Sequence, residues 1–485
     1  MLGAVAVLLV ACSSGGSGSA DAGGSPATDS ASTVPVQVDP GADTTASPAT
    51  TTSLPARCSE PDDSAGPVTV TVWEILGGDE APNAFDRLVA EFNASQTTAR
   101  IEVVSAGGAN DLLDRLPKTP PDQWPDVLVA TPQAMQRLLD TGRIVAPGEC
   151  PGGADVEAGL LPIVRATYSI GGELRAVPFG VSTSVLFFDA AELRAAGLDP
   201  ASPPATLEAL FAASRRIVDS GASPHGLVVY DWMAHYLIAN GALQRGEVVA
   251  QPDNGRSARA TSVALDTPAN VATLTWLRDV VDFGGAVSIG LTPSGVEDLT
   301  RIADPIDGAT MAVHTSAALG DVIALLESGS FPGVELGVGP MPGTAPGAVI
   351  GGNGLFLIDH GDPARVGAAF RAVQWLTALA NLAAFDAATG YIPPSFRVAG
   401  EPVLVEAWAR YPQMRVAWDQ VIALPGNDAT AGAVLGPSSE VERLFWNLTD
   451  AVVERGVPPA QALKQLSAEI NTMLERYEAV VAAGG

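Results

Sequence analysis

Apolar and polar positions recur along this chain with two periods. Over 68–73 the residues read V-T-V-T-V-W, the two-residue alternation of a strand. Gly77-Gly78 breaks it. Ala84, Phe85, Leu88, Val89 and Phe92 then follow at helical spacing. A second strand is expected over 99–104, a short helix over 111–116 and a third strand over 126–130. Met135, Leu138 and Leu139 mark another helix, and Gly142 stands where its C-terminal cap belongs. Strands alternating with helices predict a mostly parallel sheet in an α/β layered domain. The pattern then changes. Residues 175–189 form one extended apolar run with Pro178 and Gly180 inside it, as expected of a strand crossing between two lobes. Helices are predicted near 206–219, 232–242, 268–283 and 315–328, and strands over 336–340 and 349–358. From 363 onward the pattern is mainly helical, with a last helix near 459–481.

The N-terminus follows neither period. Residues 1–11 are apolar and suit the core of a secretory signal, and Cys12 comes next. Leu9-Val10-Ala11-Cys12 resembles a bacterial lipobox, in which the peptidase cuts before the cysteine and its thiol carries a lipid. No Lys or Arg precedes the run. Residues 12–66 are mostly Ser, Thr, Ala, Gly, Pro and Asp, too polar to offset their ordering entropy, and read as a disordered tether. Together these segments lead to the expectation of a protein outside the cell, lipid-anchored to the outer face of the cytoplasmic membrane. Cys58 and Cys150 remain, and an oxidising compartment favours one disulfide between them over two free thiols.

Charge and composition narrow the function. The 485 residues carry 26 basic and 54 acidic side chains, a net −28. That balance argues against nucleic acid and against charge-driven binding to anionic lipid. No run reaches the ~18–20 apolar residues of a bilayer span. The four histidines lack metal-like spacing to Cys or Glu, so neither a metal nor another cofactor is expected. The segment 337–343 is no nucleotide loop, because prolines interrupt the place of its helix. A Gly-x-Ser-x-Gly nucleophile elbow is absent.

Several segments, in order, resemble one family. These are Trp73-Glu74, Leu88-Val89-Ala90-Glu91-Phe92-Asn93, Pro125-Asp126-Val127, Val177-Pro178-Phe179, Met311-Ala312-Val313 and Gly390-Tyr391-Ile392-Pro393. The resemblance is to the bacterial extracellular solute-binding proteins of the sugar-binding type, receptors of ATP-binding-cassette importers. It implies a periplasmic-binding-protein fold: two α/β lobes joined by interlobe hinge strands, with the ligand in the cleft between them. Lobe one is expected at 67–177 plus 349–395, and lobe two at 178–348 plus 396–485. The implied partners are a small solute, most simply a sugar or polyol, and the importer's membrane subunits, with the protein itself a monomer. An exported glycoside-processing enzyme, or a sensor or adhesin that kept the fold without import, is the alternative.

A sugar site needs apolar platforms and a few fixed polar groups. Carried onto this chain, the family's pattern points to Glu74, Thr131 and Ser182 on the first lobe and crossing, and to Tyr230, Asp231 and Trp232 before a helix. It also points to His314 and Thr315, to Gly352 and Asn353 at the second crossing, and to Tyr391 and Arg397 beside the third. Two aromatic platforms common in the family are missing. Alanines stand at 317 and 318, and Gly436-Pro437-Ser438-Ser439-Glu440 has no ring. A long glucan is therefore disfavoured.

Overall fold

The computed structural model describes residues 56–61, 66–290, 297–304 and 306–483. The expected signal segment, Cys12 and most of the expected tether lie outside the described residues. Ten strands form one mixed sheet: β1 (Val68–Glu74), β2 (Ala99–Ser105), β3 (Val127–Ala130), β4 (Ile144–Val145), β5 (Val177–Asp189), β6 (His225–Val229), β7 (Ala286–Ser288), β8 (Ala309–Thr315), β9 (Leu336–Pro340) and β10 (Ile350–Ile358). Their path runs β7-β6-β8-β5-β10-β3-β1-β2, with β9 added on β5 and β4 on β10.

Each flank is parallel within itself. β1 pairs in parallel with β2 and β3, and β6 with β7 and β8. The middle is antiparallel, since β10 runs against both β3 and β5, and β8 and β9 run against β5. The expected parallel sheet thus describes the flanks, while the strands that join them traverse the junction in opposite senses. All thirteen residues of β5 are buried. Its stretch from Val177 to Thr183 pairs with β10, and from Ser184 onward it lies between β8 and β9. A strand buried on both faces reads as a continuous apolar run, which is why no alternation was visible there.

At the junction β10 slips register between Gly352 and Asn353. Gly352 has φ +82°, and a Cβ there would stand 2.0 Å from the carbonyl oxygen of Gly180. Only glycine fits so close an approach of two backbones. The polar edge of β5 is held from the second flank. Asn240 Nδ2 donates to Ser184 Oγ at 3.2 Å, its Oδ1 accepts from the Val349 N–H at 2.8 Å, and Gln420 Nε2 donates to the Ser184 carbonyl at 2.7 Å.

Three apolar clusters support these strands. One, around Phe85, Phe92, Val129, Phe179, Leu355 and Phe385, lies on the β1–β3 flank. The helix Glu80–Ser95 contributes Ala81, Ala84, Phe85, Leu88, Val89 and Phe92 to it, the face its spacing predicts. A second, with Leu186, Leu210, Met311, Leu463 and Ile470, lies on the β6–β9 flank. The third includes Trp73, Val181, Phe187, Phe356 and Trp418 and continues through the junction. Helices Leu207–Ser220, Met233–Arg245, Pro268–Asp282 and Pro459–Ala482 fall within a few residues of their expected places. The helix expected over 315–328 begins later. Thr315 ends β8, a 3-10 turn fills Ser316–Ala318, and the α-helix is Leu319–Glu327. Strands β6 and β7 carry no clear sequence signal, because five and three residues are too few to show a period.

The chain joins the body before residue 66, the expected end of the tether. A disulfide links Cys58 to Cys150, with Cα atoms 5.0 Å apart. Arg57 Nε donates to Asp359 at 2.9 Å, and the Ser59 N–H donates to the Pro363 carbonyl at 3.0 Å. Further along, Val398 and Leu404 bury into the β1–β3 cluster, and the helix Gln413–Val421 packs on β9. The final passage between flanks therefore lies between these points, later than the expected boundary at 396.

Candidate functional site

A cavity of about 420 Å³ opens beside the junction of β5 and β10, between the two flanks. Its floor is made by the crossing strands, with Ser182, Thr183 and Ser184 from β5 and Ile350 to Asn353 from β10. The first flank contributes Ile75, Asn110, Leu113, Thr131 and Gln133. The second contributes Trp232, His235, Tyr236 and Ala239 from one helix, and Ser438, Ser439, Glu442 and Phe445 from another.

Of the residues expected from sequence, Thr131, Ser182, Trp232, Thr315, Gly352, Asn353 and Tyr391 line this cavity. The others do not. The Glu74 carboxylate folds back to accept the Leu76 N–H and shapes the loop after β1. Tyr230 is buried, donates to the Val313 carbonyl at 2.7 Å and stacks on His314 with ring centres 6.1 Å apart. Those two rings form part of the second flank's core, behind the wall. Asp231 accepts the Trp232 N–H at 3.1 Å, while its carbonyl accepts from the Thr449 hydroxyl at 2.7 Å. Arg397 is exposed on the short helix Phe396–Ala399.

Several lining residues that sequence reading missed, His235, Tyr236, Ala239, Glu442 and Phe445, sit on helix faces. Trp232, His235, Tyr236 and Ala239 recur at three- and four-residue spacing, as do Ser438, Glu442 and Phe445. That stripe is the legible signal: polar and aromatic side chains on a face that would otherwise be apolar. The two helices meet through rings. Trp232 and Trp446 have centres 5.6 Å apart, and His235 and Phe445 meet edge to face at 5.0 Å. Ala317, one of the alanines standing where a platform was missed, lines the cavity, as do Ser438 and Ser439. The rings come instead from Trp232, Tyr236 and Phe445.

Several polar atoms here have no hydrogen-bond partner among the described residues. They are Asn110 Oδ1, His235 Nδ1 and Ser438 Oγ, all on lining residues. A buried polar atom without a partner costs free energy unless a ligand or water supplies one. Burial pushes His235 down to about 4, so its ring is neutral near pH 7. Burial pushes the Glu442 carboxyl up to about 7, and nearby Asp231 adds to the rise. A hydrogen bond with Asn110 and the charge of Arg443 oppose it.

Among the described residues no Lys or Arg lines the cavity. Four arginines near it pair with carboxylates, whereas Arg256 donates to the carbonyls of Ala431 and Gly432 on the cavity wall, at 2.6 and 3.0 Å. Arg245 holds Glu247 through two hydrogen bonds of 2.8 Å. Arg443 reaches Asp114 at 3.1 Å, and Arg137 reaches Ser439 at 3.0 Å and Glu440 at 3.1 Å. Arg259 and Tyr477 both donate to Asp140, at 2.9 and 2.7 Å. The contacts of Arg443, Arg137 and Asp140 join segments of the two flanks around the cavity, while Arg245–Glu247 lies within the second flank. No group of three His, Cys, Asp or Glu placed to hold a metal occurs among the described residues. None of the described helices is long and apolar enough to cross a membrane.

Comparison with known proteins places this geometry. The sn-glycerol-3-phosphate-binding periplasmic protein UgpB of Yersinia pestis is 24% identical over 424 residues, 84% of this chain and 93% of its own. Its counterpart from Pectobacterium atrosepticum is 24% identical over 330 residues, 66% of this chain and 71% of its own. Among solved structures, the cyclic alpha-maltosyl-1,6-maltose binding protein of Arthrobacter globiformis superposes with TM-score 0.66 at 22% identity, covering 85% of this chain and all of its own. UgpB of Mycobacterium tuberculosis, in complex with glycerophosphocholine, gives 0.68 at 17%, covering 84% and 98%. Residues 87–416 match the family described as bacterial extracellular solute-binding protein.

Proposed function

Since this chain belongs to the bacterial extracellular solute-binding proteins, we propose that it is the receptor of an ATP-binding-cassette importer and captures a small polyhydroxylated solute in the cavity beside β5 and β10. It is a binding protein and not an enzyme, as its family is. The observation that carries the reading is the cavity itself. Ring faces for C–H surfaces and unpartnered polar atoms for hydroxyls converge at one place between the flanks. Thr131, Ser182, Trp232, Thr315, Asn353 and Tyr391 contact the ligand in this reading, joined by Asn110, His235 and Glu442.

The two flanks act as lobes. Lobe one takes the β1–β3 flank with 349–395 and extends to about 404, and lobe two takes the β6–β9 flank with the C-terminal helices. A ligand that touches both lobes stabilises their closed arrangement and so shifts the population toward it. In this reading the pairs Arg137–Glu440, Arg443–Asp114 and Arg259–Asp140 belong to that closed state. Export is followed by lipidation at Cys12, and residues up to about 56 tether a monomeric receptor to the outer face of the cytoplasmic membrane.

Titration calorimetry with sugars, polyols and glycerol phosphates tests the function. Micromolar binding lost on Trp232→Ala supports it, whereas a flat response to every member of the set refutes a polyhydroxylated ligand. Membrane fractionation of a Cys12→Ser variant tests the anchor, and unchanged membrane association refutes it.

A further inference from the structure

The curated relatives are named for an anionic ligand, yet this cavity has acidic character. No Lys or Arg lines it among the described residues; Arg245, Arg443 and Arg137 beside it are held by carboxylates of the protein itself, and Arg256 donates to the backbone carbonyls of Ala431, Gly432, Thr167 and Ser169. A phosphate drawn into it would lose its hydration without meeting a fixed cation, which is costly. It would also face Glu442. We propose that the solute carries a protonated amine on a hydroxylated, sugar-like frame, with the amine held by Glu442 beside the rings of Trp232 and Tyr236.

Three observations support this. Glu442 lines the cavity and has Asn110 as its hydrogen-bonding neighbour, so an ammonium group supplies the counter-charge it lacks inside the site. Its neighbour Arg443 is directed to Asp114 at 3.1 Å. The rings of Trp232 and Tyr236 lie 6.1 Å apart and tilted by 33°, and ring faces attract a desolvated cation. Asn110 Oδ1, His235 Nδ1 and Ser438 Oγ are left for the hydroxyls of the frame. The other titratable groups around Glu442 are Asp231, which repels a second negative charge there, Arg443 on its own helix, and Tyr236 and His235 on the facing helix. Burial raises Tyr236 and lowers His235, so both are neutral near pH 7. In the free protein burial also keeps Glu442 partly protonated near neutrality. Capture of an ammonium ion therefore expels a proton.

The inference rests on the cavity being the ligand site, and calorimetry at pH 7 separates the two. The probes are the β-1,4-linked glucosamine disaccharide, its neutral N,N′-diacetyl form, maltose and glycerol 3-phosphate. The aminated disaccharide is expected to bind at least tenfold more tightly than either neutral sugar. Its heat should vary with the ionisation enthalpy of the buffer, reporting the released proton. Glu442→Gln should remove both the preference and the buffer dependence, and Glu442→Asp should restore part of the preference, provided both retain the wild-type circular dichroism spectrum. If the neutral sugars bind equally well or glycerol 3-phosphate binds more tightly, the amine assignment falls while the cavity remains the site. If none of the probes binds, the amine assignment falls together with the polyhydroxylated ligand.

Discussion

Glu442 and His235 sit on facing helices and are shifted in opposite senses by the same cause. Burial disfavours the charged form of each, raising the acid and lowering the base. The Glu442 carboxyl moves from an ordinary 4.5 to about 7. Its contribution to stability is therefore fully present below about 4.5 and is lost as the pH rises to about 7. His235 moves from 6.5 to about 4, so its contribution is present above 6.5 and is lost as the pH falls through 4. The two trends oppose each other, and a variant isolates one of them. Ligand-free Glu442→Gln should gain on the parent as the pH rises from 4.5 to 8, by on the order of 1–3 kcal/mol. Urea midpoints at a series of pH values check this, and a constant difference would refute it. Neither shift is visible in sequence. Glu442 is one of 54 acids, and its distinction comes only from what packs around it.

At the scale of elements, the two crossing strands do more than connect. β5 is buried along its whole length, and its middle residues Ser182, Thr183 and Ser184 form the cavity floor. The register slip in β10 sets Asn353 beside Tyr168, whose hydroxyl donates to the Asn353 carbonyl at 2.9 Å. Gly352→Ala would meet both a left-handed backbone and the Gly180 carbonyl. It should cost more than about 2 kcal/mol and weaken ligand binding, measured by thermal melting and calorimetry. Element positions were readable because period and cap residues act locally, as in the helices Glu80–Ser95 and Pro459–Ala482. Site residues on loops after strands, such as Thr131, were readable from the family resemblance. Tyr230 and His314 were not separable from Trp232 and Thr315, which stand only two residues and one residue further along the chain. One-residue differences decide which side of a wall a ring faces, and only packing sets that.

For the whole molecule, the contacts between flanks set how easily the cavity opens. Arg137 with Glu440 and Arg443 with Asp114 are partly exposed pairs, each worth about 0–1 kcal/mol. In the proposed hinge motion they exist only when the flanks are closed. The double variant Arg137→Ala/Arg443→Ala should thus lower ligand affinity roughly 2- to 10-fold without removing a ligand contact. Small-angle scattering should report a larger ligand-free radius of gyration, and unchanged values for both would count against closure by these pairs. The disulfide acts elsewhere. It ties the entry of the chain at Cys58 to Cys150 across 92 residues. Replacing both by serine should lower stability by about 2–4 kcal/mol, read from the urea midpoint, with ligand affinity little changed.

By itself the sequence determined the alternation of strands and helices, the buried crossing strand, the acidic balance and the kinship with solute-binding proteins. These depend on short-range periodicity, on composition and on the order of local segments. The tertiary structure alone decided that two helices distant in sequence, Met233–Arg245 and Ser438–Val453, bring Trp232, His235, Glu442 and Phe445 to one wall. It also decided that Arg245, Arg443 and Arg137 turn to carboxylates of the protein itself. Burial and electrostatic pairing depend on which surfaces meet, and that is settled only when the flanks pack against the junction of β5 and β10.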